Sequence, residues 1–119
     1  MISAKLVLDE GEGLLSFRAT GHAAAGDRGY DIVCAAFSVL ARTAYSSLDA
    51  LPGIELRGSA PEPGSLSFEV RRPPASRERA AGIADFLIAG LSDLARDSPE
   101  AVELELERDG GSKIWHTRA

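Results

Sequence analysis

The side chains that could perform covalent chemistry are concentrated in one short stretch of the 119-residue chain. Cys34 is the only cysteine, and His22 precedes it across a segment rich in glycine and alanine. A thiol attacks a carbonyl carbon as its thiolate, and a neighbouring imidazole can take the proton. A glycine-containing loop can fold back at a modest entropic cost, so the two side chains can meet. This pair is the arrangement that acyl transfer by a thiol nucleophile requires, with Cys34 as the nucleophile and His22 as its base.

The residues around Cys34 predict a helix that begins near Ile32, with Asp31 as its N-cap. Cys34 would then lie in the first turn, where unpaired backbone N–H groups and the positive end of the helix dipole favour a thiolate or an oxyanion. Asp31, Cys34 and Ser38 are spaced three and four residues apart. They therefore share one face of the predicted helix.

Each of these residues also has a simpler structural explanation. A lone cysteine beside apolar helix positions is more often a small buried side chain than a nucleophile. Asp31 can serve as a helix cap only, and Ser38 can bond to a carbonyl oxygen one turn back. His116, next to Trp115, is expected on the surface or on an edge strand. Spacing alone therefore leaves catalysis as one interpretation among several.

The pattern of apolar residues predicts strands and helices that could position these side chains. Strict alternation predicts strands at residues 2–8, 15–20, 54–57, 66–70 and 102–107, and spacings of three and four predict helices at 32–48 and 76–96. Residues 21–29 are interpreted as a loop, and residues 113–117 either form a last short strand or fray. The order β-β-α-β-β-α-β predicts one α+β domain over residues 1–119, with two helices on one face of a mostly antiparallel sheet.

Composition and charge exclude several classes of function. The formal net charge is −5, which disfavours direct nucleic-acid binding and favours encounter with a basic partner. No metal-ligand spacing or glycine-rich phosphate loop occurs, so neither a metal nor another cofactor is expected. No apolar run is long enough to span a membrane, and residues 1–5 have no apolar stretch of signal-peptide length, so neither a membrane span nor a signal peptide is expected. With one cysteine as well, a cytoplasmic location is expected.

One segment resembles the signature of a known family. Gly21-His22-Ala23, five further residues and then Gly29-Tyr30-Asp31-Ile32-Val33-Cys34-Ala35-Ala36-Phe37-Ser38 are similar to the G-H-A, spacer, G-x-D-I-V-C-A-A-x-S pattern of the ribosomal-processing cysteine proteases (Prp). The likeness extends to the N-terminal strand pair and to a second helix that carries Gly-Ile-x-x-Phe-Leu. It therefore covers most of the chain.

The resemblance implies a compact α+β homodimer with a thiol endopeptidase activity. The substrate it implies is a large-subunit ribosomal protein, from which a short N-terminal extension is removed. Cys34 and His22 are the implied catalytic dyad, with Asp31 and Ser38 in supporting roles. The loop that contains the glycines is the implied gate over the site (Gly21, Gly26 and Gly29).

Two other functions remain open at this point. The first is a non-catalytic module that holds a ribosomal protein during assembly, which would have no need of a reactive thiol. The second is a redox thiol protein, which would normally require a resolving cysteine that this chain lacks. Neither alternative uses the pairing of Cys34 with His22.

Overall fold

The computed structural model describes residues 1–21, 28–59, 65–109 and 112–117. The elements follow the predicted order, and the C-terminal segment forms a further strand. Their bounds are β1 (Ile2–Leu8), β2 (Leu14–Thr20), α1 (Arg28–Asp49), β3 (Glu55–Ser59), β4 (Leu66–Arg72), α2 (Arg77–Asp97), β5 (Val102–Arg108) and β6 (Ser112–Thr117). The predicted two-layer α+β fold is confirmed.

The strands form one sheet in the order β3-β4-β2-β1-β5-β6. Every neighbouring pair is antiparallel except β1 and β5, which run parallel in the middle of the sheet. The prediction of a mostly antiparallel sheet is therefore confirmed. Helix α2 connects β4 to β5 and crosses over the sheet, so β5 runs in the direction of β4. Because β4 and β1 are both antiparallel to β2, β5 is parallel to β1.

The core lies between one face of the sheet and the two helices. Alternate residues of β1 are buried, as the strand period requires. Three aromatic rings join the layers: Phe17 of β2 lies 5.3 Å from Phe68 of β4 and 6.3 Å from Phe37 of α1, between ring centroids. Each such ring removes a large apolar area from water, worth about 1.5–3 kcal/mol. These contacts hold α1, and with it Cys34, against β2.

The opposite face of the sheet is polar. There Lys5 of β1 lies 3.5 Å from both Glu105 and Glu107 of β5. These side chains are partly exposed, so the ion pairs add little to the free energy of unfolding. Within the residues described, neither α1 nor α2 is both long and apolar enough to cross a bilayer.

Candidate active site

Helix α1 begins about one turn earlier than predicted. It starts at Arg28, so Asp31 lies inside its first turn and the prediction that Asp31 is the N-cap is wrong. Cys34 accordingly lies in the second turn. The earlier start also places Gly29 within the helix rather than in the preceding loop.

This position changes the electrostatic argument for Cys34. Only the first backbone N–H groups of a helix lack a partner within the helix, and the effect of the dipole fades beyond the first turn. The N–H of Cys34 is past that turn. The interior of α1 therefore does not supply the oxyanion donors or the strong field that a first-turn cysteine would have.

Cys34 lies at the boundary between the core and the surface. Its side chain is partly buried and packs against the hydrophobic core. The adjacent Val33 and the nearby Phe37 are buried, whereas Ile32 and Ala35 are exposed. The neighbouring core residues hold the backbone of Cys34 in place, and its side chain is only partly buried.

The structure describes some of the other predicted site residues fully, some in part and some not at all. Ser38 is exposed one turn beyond Cys34, and positions 31, 34 and 38 lie on the same side of α1, as predicted. For Asp31 only the backbone position is described. His22 and Gly26 lie outside the described residues, so their predicted roles stay predictions. No cluster of three potential metal ligands occurs among the histidine, cysteine and carboxylate side chains that the structure describes.

Gly21 has a structural role that sequence reasoning missed. It directly follows β2 and has a φ of +108°, a conformation that residues with a side chain rarely adopt. A Cβ atom at this position would lie 2.1 Å from the carbonyl oxygen of Met1. Only glycine fits against that backbone. Gly21 thus determines where the chain leaves the sheet, immediately before His22.

Replacing Gly21 with alanine is expected to lower the free energy of unfolding by about 2 kcal/mol or more, through backbone strain and overpacking. Chemical denaturation would measure the change. Gly82 of α2 is the matched control, because it is exposed and a Cβ there would have no neighbour within 4 Å. Gly82→Ala should raise stability by about 1 kcal/mol through helix propensity. Equal effects of the two substitutions would contradict the structural role of Gly21.

Comparison with known proteins gives consistent matches over most of the chain. A family model described as "Cysteine protease Prp" matches residues 1–103, a range that contains both His22 and Cys34. The ribosomal processing cysteine protease Prp of Bacillus subtilis (strain 168) is 30% identical over 100 residues, which cover 82% of this chain and 89% of that protein.

Solved structures give the same result for the fold. SMU.848 from Streptococcus mutans superposes with a TM-score of 0.75 and is 29% identical, with 92% of this chain and 99% of that chain covered. The ribosomal processing protease Prp from S. aureus, in complex with a covalently linked product peptide, has a TM-score of 0.70 and 19% identity, with 92% and 100% covered. At this lower identity the likeness concerns the fold alone.

Proposed function

Because this chain belongs to the cysteine protease Prp family, we propose that it removes a short N-terminal extension from a large-subunit ribosomal protein. Membership of the family makes it a thiol protease, a hydrolase that acts on peptide bonds. The observation that best supports Cys34 as the nucleophile is its position: it is the only cysteine, and it lies partly exposed in the matched range. Asp31 and Ser38 have supporting roles on the same side of α1.

The proposed reaction is acyl transfer through a thioester. His22 takes the proton from the thiol of Cys34, and the sulfur attacks the scissile carbonyl carbon. The tetrahedral intermediate collapses as the peptide nitrogen leaves with the proton from the imidazolium of His22. Water, deprotonated by the same imidazole, then hydrolyses the thioester and restores the thiol.

The charge of the protein agrees with such a substrate. Ribosomal proteins are basic, and the formal net charge of −5 on this chain favours their approach. The same charge would suit a module that only binds a ribosomal protein, but the match to a protease family favours the enzyme over that alternative. We place the reaction in the cytoplasm, where a thiol stays reduced.

The proposal is tested by incubating the pure protein with the corresponding ribosomal protein of the same organism and measuring intact masses. The expected result is one discrete N-terminal truncation. Stable co-migration of the two proteins without any change in mass would contradict the proposal and would favour the binding module.

A homodimer is the second part of the proposal, and exposed apolar side chains on the helix layer support it. Ile32 and Val39 of α1 are 70% and 64% exposed, and Phe86 of α2 is 70% exposed. The first two lie seven residues apart, which puts them on one side of the helix. Gly90 of α2 packs closely against Leu40 of α1, so the two helices lie side by side. A second copy of the chain would remove these side chains from water.

Replacing Phe86 with lysine is expected to convert the dimer to a monomer, because a charge would be buried in an apolar interface. Sedimentation velocity at micromolar concentration would measure the change. Asp85→Lys is the matched control, since it puts the same side chain on the adjacent exposed position. A wild-type protein that sediments as a monomer would contradict the dimer, as would equal dissociation of both variants.

A further inference from the structure

A cavity beside α1 lies outside the residues assigned to the reaction. It has a volume of about 350 Å³ and lies between the second half of α1 and the β3–β4 edge of the sheet. Its lining residues come from three elements that are distant in sequence: Arg42, Tyr45, Ser46, Gly58, Ser59 and Leu66. Sequence reasoning gave none of them a role.

The cavity lies on the same side of α1 as Cys34. Positions 34, 38, 42 and 45 follow one another at spacings of four and three, so they form one row along the helix. With a rise of 1.5 Å per residue, the helical residues of the cavity lie about 12–18 Å beyond Cys34 along the axis. An extended peptide advances about 3.3 Å per residue, so it would reach the cavity about four or five residues from the bond being cut.

The chemistry of the lining favours an apolar side chain. Tyr45 and Leu66, both half-buried, provide apolar surface, while Arg42, Ser46 and Ser59 are exposed around it. Arg42 would repel a basic side chain at this point. An apolar residue would instead gain from burial against the ring of Tyr45.

Two contacts keep this apolar surface in place. The ring of Tyr45 meets Phe68 edge to face, with centroids 5.2 Å apart and planes at 78°. A Cβ at Gly58 would lie 3.0 Å from Cε2 of Tyr45, so only glycine allows β3 to approach the ring so closely without displacing it. The ring of Tyr45 is thus packed against both β3 and β4.

The edge of the sheet next to the cavity can bind an extended chain. In the part of the sheet that the structure describes, β3 pairs with β4 on one side only. A strand with one unpaired edge offers backbone N–H and C=O groups to a peptide that adds alongside it. Gly58 and Ser59 belong both to this strand and to the lining of the cavity.

We propose that this cavity is a specificity subsite, which binds an apolar side chain of the substrate about four or five residues from the scissile bond. This inference rests on the proposed function, because it assigns part of the same substrate to the cavity. The cavity would provide selectivity that the catalytic pair cannot supply.

In the test, a larger side chain is placed in the cavity by mutation, and both cleavage and binding of one peptide are measured. The peptide covers the N-terminal extension of the ribosomal protein and the residues that follow it. Ser46→Trp should lower kcat/KM for this peptide about tenfold or more. Asp85→Trp, which puts the same side chain on an exposed position of α2 outside the cavity, should leave kcat/KM unchanged.

Alanine substitutions along the peptide should locate the side chain that occupies the cavity. Replacing one apolar residue, four or five positions from the cleaved bond, with alanine should lower kcat/KM of the wild-type enzyme about tenfold. The same substitution should have no further effect on the Ser46→Trp enzyme, because the cavity is already filled. Full additivity of the two changes would overturn the subsite.

Measuring the affinity for the peptide shows whether the subsite proposal or the proposed function has failed. Peptide affinity is measured by calorimetry on Cys34→Ala and on Cys34→Ala combined with Ser46→Trp. If the peptide binds but is never cleaved by the wild-type enzyme, the proposed function fails; weaker binding by the double variant would still support the subsite. Equal cleavage and equal binding with and without Ser46→Trp, in folded proteins, would overturn the subsite alone.

Discussion

Replacing Cys34 with alanine is expected to lower the rate of substrate cleavage by more than about 10⁴-fold, because the nucleophile and the covalent intermediate are both lost. The rate is measured on the isolated ribosomal protein by intact mass, with enzyme in excess so that single turnovers are observed. Cys34 is the only cysteine in the chain. No second thiol can replace it.

Loss of activity must be separated from loss of structure, since Cys34 packs partly against the core. Cys34→Ser retains the size and polarity of the side chain and should be as inactive as Cys34→Ala, with a thermal unfolding midpoint close to that of the wild type. Thr43→Ala alters an exposed position of the same helix and should retain full activity. Cleavage by Cys34→Ala at a rate near that of the wild type would remove Cys34 from the mechanism.

The fold could be predicted largely from local patterns, because each strand and helix displays its buried face in sequence. Residues 2–8 alternate as β1 does, and Ser76 precedes α2 as an N-cap, accepting a hydrogen bond from the backbone N–H of Arg79 at 3.2 Å. No local sequence pattern indicates the parallel pairing of β1 with β5. It joins two strands from opposite ends of the chain, and only packing of the whole sheet decides which strands become neighbours.

The start of α1 shows where local reasoning reached its limit at the site. Asp31 has the preferences of an N-cap, and the apolar period becomes visible only from Val33 onward. An N-cap contributes only about 1 kcal/mol, so the surrounding structure can extend a helix past a good capping residue. Arg28 to Tyr30 are helical without any apolar stripe to predict it.

The cavity beside α1 was beyond sequence reasoning for another reason. Tyr45, Gly58 and Leu66 lie on a helix and two strands, and each is ordinary in its own element. A tyrosine on the buried side of a helix indicates core packing, and a glycine in a strand indicates a close approach without naming the neighbour. Only the tertiary structure shows that the glycine approaches that tyrosine.

With the earlier start of α1, the proposed mechanism depends more strongly on His22 as the base, and this leads to the second large effect. Because Cys34 lies beyond the first turn, the helix dipole contributes little to forming its thiolate. His22→Ala should therefore lower single-turnover cleavage by about 10²–10⁴-fold, the usual range for loss of a general base. It should also slow the alkylation of Cys34 by iodoacetamide at neutral pH, which reports on the thiolate without requiring a substrate.

His116 provides the matched control, since it is the only other histidine and lies on β6 opposite Glu105. His116→Ala should alkylate and cleave at the wild-type rates. Imidazole added to the His22→Ala enzyme should restore part of the cleavage, because a free base can enter the space left by the side chain. If His22→Ala reacts with iodoacetamide as fast as the wild type does, the thiolate forms without that imidazole, and another group near Cys34 must be its base.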